Sequence, residues 1–336
     1  MAAGGEGSAP PIGVLLFNLG GPPDLPSVEP FLVNLFSDRD IIELPLGSTL
    51  QPLLARLIAK ARGPFVRRNY ALIGGGSPQL RFTRAQAEAL EVRLGRDGGR
   101  FRTFIAMRYW PPTTEEALLA LAGEGIRRVV TLTLYPHYSR ATTGSSEREL
   151  QRWLSRPAWE GRFRVSGIAS YATDPTYLDA LADTVRRALL GFPAGRREAV
   201  VLLFSAHGLP EKLVAAGDPY VRETEATRDG VRARLAVPNR HLLGYQSRTG
   251  PVKWIGPGTD EILDRLGGEG VREVLVVPLS FVSDHIETLY EIDILFAGRA
   301  RRAGITDYRR SEPLGTHPLF IEALARLVER HLEEHP

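Results

Sequence analysis

Two stretches of the chain, TEEALLALAGEGIRRVVTLTL at 114–134 and TDEILDRLGGEGVREVLVVPL at 259–279, align without a gap and share a GEG turn at 123–125 and 268–270. Each reads as helix, turn and strand. A chain that repeats such a unit is expected to fold as two similar halves. Around the repeat, apolar runs recur: GVLLFNLG (13–20), RTFIAMRY (102–109), RRVVTLTLYP (127–136), AVVLLFSAHG (199–208), HLLGYQS (241–247) and REVLVVPLSF (272–281). Short, continuously apolar strands separated by helical patterns point to parallel sheets covered on both faces. Leu15, Leu16 and Phe17 of the first strand read as counterparts of Leu202, Leu203 and Phe204. The expected class is α/β, with halves at 11–160 and 161–310 and a C-terminal helical segment at 311–336.

In such sheets ligands sit outside the carboxyl ends of the strands. That rule selects His207, which follows its strand in FSAHGLP (204–210), and the acidic row in SDHIETLYEID (283–293), which follows the last apolar run. On an α-helix Asp284, Glu287 and Glu291 would share one face and span about 10 Å. Such a row is either a solvated face or a path for protons or metal cations. An imidazole opposite it favours the second, because neutral imidazole and carboxylate together suit borderline divalent metals. His285 has neighbours that face the other way and is expected behind the row.

The matching edge of the first half has another chemistry. NLGGPP (18–23) and YALIGGGSP (70–78) are glycine-rich turns carrying Leu19, Tyr70 and Ser77. MRYWPP (107–112) and LYPHYSRATTGSS (134–146) add Arg108, Tyr109, Trp110, Tyr135, Tyr138 and Arg140. Aromatic rings for stacking and guanidinium groups for carboxylates suit a large planar anion. GGGSP lacks the lysine of a phosphate loop, and no G-x-G-x-x-G supports a dinucleotide. Residues 49–69 read as an amphipathic helix, Leu53, Leu54, Leu57 and Ile58 on one side and Arg56, Lys60 and Arg62 on the other. It is either an ordinary surface helix or a greasy lip over an apolar ligand or a membrane surface.

Net charge is +3, and Lys60, Lys212 and Lys253 are the only lysines. No stretch gathers the arginines into a basic stripe, which argues against a nucleic-acid partner. With no cysteine, disulfides and thiolate-ligated zinc or iron–sulfur centres are excluded. No signal peptide and no run of eighteen apolar residues is found, so a cytoplasmic protein is expected.

Taken together, LFNLGGPPDLPSVEPFLVNLFSDRDII (16–42), IGGGSP, YPHYSRATTGSS, FSAHGLP, GDPY (217–220), YQSRTGPVKWIGPGTDE (245–261) and SDHIETLYEID resemble the ferrochelatases, which insert iron(II) into a porphyrin. The resemblance covers nearly the whole chain. It implies two Rossmann-like, chelatase-type halves with a porphyrin cleft between them, and a lip in the first half that covers the porphyrin. It implies His207 and Glu287 as the catalytic, metal-facing pair, Asp284 and Glu291 as a proton or metal relay, and a locally widened, π-type helix beneath them. Arg62, Tyr70 and Ser77 match porphyrin-contacting positions, and Leu19, Arg108 and Tyr109 match the cleft wall. Leu19 stands where coproporphyrin-using relatives tend to have tyrosine, which points to protoporphyrin IX. The alternatives are coproporphyrin, a cobalt chelatase for a more carboxylated tetrapyrrole, and a non-catalytic haem or metal binder. Iron(II) is expected as substrate, with no permanent cofactor, no iron–sulfur cluster, and a peripheral contact at the inner face of the membrane.

Overall fold

The computed structural model describes residues 11–41, 47–96, 100–250 and 252–336. Among them are eight strands: β1 (Ile12–Asn18), β2 (Phe101–Met107), β3 (Arg128–Thr133), β4 (Arg164–Ile168), β5 (Val201–His207), β6 (His241–Gln246), β7 (Glu273–Pro278) and β8 (Asp307–Arg310). They form two all-parallel sheets in the orders β2-β1-β3-β4 and β6-β5-β7-β8. The second sheet repeats the first strand for strand.

The repeated segment folds alike in both copies for local reasons. Glu116 accepts the Thr113 N–H at the start of Thr114–Gly123, and Glu261 accepts the Gly258 N–H at the start of Thr259–Gly268. Both helices then end on a left-handed glycine, Gly125 at φ +69° and Gly270 at φ +80°. Beyond it the Ile126 N–H reaches back to Leu121 O and the Val271 N–H to Leu266 O, each at 3.0 Å, the six-to-one bond of a glycine-terminated helix.

Pairing fixes the correspondence of the first strands and corrects the expected one. Val14 pairs with Val130, and Leu202 pairs with Leu275. Since Val130 and Leu275 are equivalent in the repeat, Val14 corresponds to Leu202 and Leu15 to Leu203, one residue away from the sequence match. Consecutive apolar residues align about equally well one step apart, and only the neighbouring strand decides. The position equivalent to His207 is therefore Leu19, not Gly20.

Alternate residues of each central strand enter different cores. Val14, Leu16, Phe204, Ala206, Leu275 and Val277 share one cluster with the helices Gln79–Gly95, Pro175–Leu190 and Pro318–Glu334. Leu15 and Phe17 pack against Leu118 and Leu121, and Leu203 packs against Ile262 and Leu266, on the outer faces. The C-terminal helix is thus core to both halves, and its Glu322 pairs with Arg93 of the first half at 2.6 Å. β4 pairs with β3, so the first sheet continues past residue 160, the expected end of the first half. Two helices, Val28–Ser37 and Gly47–Leu72, build a further apolar cluster with Tyr70, Tyr109 and Leu19 beyond the end of β1.

Candidate active site at the seam between the halves

His207 ends β5, where the chain turns at Gly208, whose N–H bonds to Gln246 O at 2.7 Å. Its Nδ1 lies 2.5 Å from the carbonyl oxygen of Gly208. A carbonyl only accepts, so Nδ1 carries a proton and Nε2 is turned to the other side. There, Nε2 lies 3.3 Å from Glu287 Oε1, while the imidazole keeps 37% of its side-chain surface open. The second oxygen of Glu287 accepts from Nε2 of the buried His285 at 2.8 Å. His285 sits behind the acidic row as expected, and Glu287 lies between two imidazoles.

Glu287–Phe296 is a π-helix, the widened geometry that the resemblance implied and one that recurs at functional sites. Glu291 lies one turn on. Its Oε2 accepts from Ser247 Oγ at 2.6 Å and from Gln246 Nε2 at 3.1 Å, and Gln246 also donates to the Glu287 carbonyl at 2.9 Å. Ser247 adopts φ +61°, a left-handed conformation that is costly for serine. It directs the hydroxyl at Glu291. Gln246 and Ser247 were not singled out as site residues in the sequence, where they read only as a strand end.

The expected three-carboxylate line is not what forms. Asp284 precedes the helix, accepts Thr288 Oγ1 at 2.8 Å, and pairs with Arg310 at 3.0 Å. Arg310 also grips Asp293, at 2.7 and 2.8 Å. The α-helical spacing that aligned Asp284 with Glu287 does not apply where the backbone has not yet become helical. The structure brings together His207, Glu287 and Glu291, and it gives Asp284 a basic partner.

Charge follows geometry. Burial lowers the proton affinity of His207, but the charge and hydrogen bond of Glu287, the Gly208 carbonyl and Glu291 outweigh it, and its pKa is raised to about 9. Burial would raise Glu287, yet His207 and His285 hold it well below the usual carboxylate range. Both shifts favour an imidazolium–carboxylate pair. Glu291 moves the other way, raised by burial and by the charge of Glu287, with Ser247, His207 and Gln246 opposing. Among the described residues no group of three or more metal-ligating side chains is arranged to hold a metal.

On the first-half side, Tyr70 is buried, and burial together with the charge of Glu287 raises its hydroxyl pKa. It belongs to the helix Gly47–Leu72 and lies within range of the Glu287 charge. Ile286, just ahead of Glu287, packs against the cluster that contains Tyr70, Tyr109 and Leu19. The two glycine-rich turns lock onto one another: a side chain at Gly76 would collide with the Pro23 carbonyl and one at Gly21 with Ser77, and the Ser77 N–H donates to Pro22 O at 2.7 Å. Arg62 reaches over the Phe36 ring, 5.8 Å from its centre.

Arg108 and Tyr109 turn inward onto Asp38. That carboxylate accepts from Arg108 Nη2 at 2.8 Å, Tyr109 Oη at 2.5 Å and Ser145 Oγ at 2.6 Å. Burial pushes the Asp38 pKa up, but Arg108 and the hydrogen bonds from Ser145, Tyr109 and the Asp40 N–H hold it below its ordinary value. Asp38 lies far from its partners in sequence, and no local pattern announced it.

The amphipathic helix packs through its small residues and sets much of its leucine side outward, unlike an ordinary surface helix. Ala55 and Ala59 are fully buried, whereas Leu53, Leu57 and Phe65 are 54%, 58% and 57% exposed. Small residues let it lie close to Val28–Ser37, and its large apolar side chains stand outward. Among the described residues no helix is long and apolar enough to cross a membrane.

The family model described as Ferrochelatase matches residues 11–332. The chain belongs to the ferrochelatase family. A ferrochelatase of Geotalea uraniireducens is 51% identical over 317 residues, covering 94% of this chain and 97% of the relative. One from Synechocystis is 48% identical, covering 97% of this chain and 84% of the relative. The sirohydrochlorin chelatase SirB of Bacillus subtilis, solved in complex with cobalt, superposes with a TM-score of 0.56 at 15% identity over 97% of both chains. At that identity the likeness concerns the fold, a two-halved chelatase architecture.

Proposed function

We propose that this chain inserts iron(II) into protoporphyrin IX, giving protohaem and releasing the two pyrrole protons. The observation that carries the reading is the His207–Glu287 pair, 3.3 Å apart at the carboxyl edge of the second sheet, with Tyr70 of the first half within range of the Glu287 charge, in a member of the ferrochelatase family. A dication and a proton compete for the same imidazole lone pair. Iron(II) arriving at the pair displaces the proton that Nε2 directs at Glu287, while Nδ1–H stays on the Gly208 carbonyl and keeps the ring oriented. Glu291 is the neighbouring group with raised proton affinity, and it takes up the imidazolium proton; once iron passes to the porphyrin, the freed His207 accepts one pyrrole proton and Glu287 passes the other to solvent. Asp284, bonded to Arg310, steadies the start of the π-helix, and any part it has in the relay uses its own carboxylate.

A flat macrocycle hides its nitrogen lone pairs in the ring plane, so the walls must bend it and spend peripheral binding energy on a form near the transition state. Leu19, Arg62, Tyr70, Ser77, Arg108 and Tyr109 form that wall in this reading. The lock of Arg108 and Tyr109 on Asp38 supports a stiff one. Leu19 is apolar, in keeping with protoporphyrin. The outward Leu53, Leu57 and Phe65 support a peripheral contact of this helix with the inner face of the cytoplasmic membrane.

The test is anaerobic turnover of purified protein with iron(II) and either protoporphyrin IX or coproporphyrin, followed by porphyrin absorbance. Multiple turnovers on protoporphyrin are expected. Faster turnover on coproporphyrin overturns the substrate assignment, and tight binding without conversion of either overturns the chelatase reading.

A further inference from the structure

The peptide groups of His207 are held by a pair of hydroxyls from other elements. Its carbonyl accepts from Tyr220 Oη at 3.0 Å, its N–H lies 3.4 Å from Ser280 Oγ, and the two hydroxyl oxygens are 2.6 Å apart. Tyr220 is buried and begins the helix Tyr220–Leu235, and Ser280 follows β7. Asp218 accepts the Tyr220 N–H on Oδ1 at 3.1 Å. Its Oδ2 accepts Ser139 Oγ at 2.9 Å and the Arg140 N–H at 2.8 Å, both from the loop that follows β3. The ring of Tyr220 meets His137 of that same loop edge-on at 5.9 Å. Glu223, one turn along the helix, accepts the Tyr138 N–H at 2.7 Å.

We infer that Tyr220 is a positioning residue: with Ser280 it fixes the His207 backbone, and through Asp218 it ties that position to the first-half loop 137–140. The inference rests on the reading of His207 given above. His207 contributes one donor atom to a pair whose other member stands on a separate helix, so a small drift of its backbone opens the pair. Well-oriented groups lose rate steeply with misplacement, even when the change lies outside the reacting atoms. Tyr220 also explains why the GDPY turn at 217–220 is built as it is. Gly217 takes φ +90°, and the Asp218 side chain then reaches both the loop and the tyrosine N–H.

Tyr220→Phe removes the hydroxyl and leaves the ring against His137. It is expected to lower kcat for metal insertion about tenfold, the worth of one buried hydrogen bond to a positioned group, with KM for porphyrin unchanged and the melting temperature lowered about as much as in Tyr245→Phe. Ser280→Ala should lose a similar factor, and the double variant should be no worse than the weaker single one, because the hydroxyls act as a unit. Ser280→Thr, which keeps the hydroxyl, should restore the rate. Tyr245→Phe, which strips a different buried phenol from Thr224, is the control and should retain full activity. Wild-type kcat in Tyr220→Phe overturns the inference, as does an equal loss in Tyr245→Phe. If the wild-type protein inserts no metal, the function reading fails instead. The inference is then judged by the imidazole nitrogen resonances of His207, which Tyr220→Phe should shift and Tyr245→Phe should not; unchanged resonances overturn it.

Discussion

Leu19 follows the end of β1, and at the same register position His207 is the last residue of the twin strand β5. The residue pairs where β2 and β6 end are equivalent too, and each grips a carboxylate: Arg108 and Tyr109 hold Asp38, whereas Gln246 and Ser247 hold Glu291. The backbone solution is shared, and the donors differ. A guanidinium keeps Asp38 ionised and makes it a structural lock. An amide and a hydroxyl bring no net charge, so burial and the nearby Glu287 dominate and raise the proton affinity of Glu291. One duplicated scaffold thus yields a guanidinium-locked carboxylate in one half and a buried carboxylate of raised proton affinity in the other.

The strongest way to break this contrast is to move its chemistry. Glu287→Gln should cost about a hundredfold or more in insertion rate, whereas Asp293→Asn, at a carboxylate that pairs with Arg310, should cost less than about threefold. Comparable losses measured by steady-state turnover would mean that the acidic helix acts as a whole. Adding Leu19→His to His207→Ala should restore nothing, since Leu19 has no carboxylate partner like Glu287; recovered turnover would make the halves interchangeable.

Stability separates the two carboxylates next. Asp38→Asn leaves the buried Arg108 with Glu149, 3.9 Å away, in place of its closer partner and should destabilise the protein by about 2 kcal/mol. Glu291→Gln keeps neutral partners for a neutral group and should cost under about 1 kcal/mol. Urea unfolding midpoints of the two variants read the difference directly.

The smallest effect is in the pH profile of the metal-free protein. The folded-state pKa of Asp38 lies below its ordinary 3.8, so its contribution is complete above that value and is lost as pH falls through the depressed one. For His207 the folded value is raised from 6.5 to about 9, so its contribution is complete below 6.5 and fades as pH rises through about 9. Melting temperature against pH should lose its acid slope in part in Asp38→Asn and its alkaline slope in His207→Ala. An unchanged alkaline limb in His207→Ala would contradict the ion pair with Glu287.

Much of this organisation was legible in the sequence because it is local or periodic. The GEG turn and the apolar runs carried the duplication, and the strand-end rule picked out His207. What escaped depends on partners distant along the chain. The one-residue offset between β1 and β5 is set by pairing with β3 and β7, and runs of Leu and Val carry no mark of it. Asp284 fell out of line because the helix begins after it and Arg310 claims it. Asp38, Gln246, Ser247 and Tyr220 matter through hydrogen bonds that span many residues, which residue type alone does not reveal. In the helix Gly47–Leu72 the alanines, not the leucines, permit close packing, and the apolar pattern alone left open which side turns outward.

The central claim is that metal meets porphyrin at His207 and not at its counterpart in the first half. Single-turnover insertion, with protoporphyrin IX prebound and iron(II) or zinc(II) added, tests this in His207→Ala beside Leu19→Ala. The account predicts that His207→Ala binds porphyrin and fails to metallate it, while Leu19→Ala metallates with altered porphyrin affinity. Metallation by His207→Ala near the wild-type rate would contradict it.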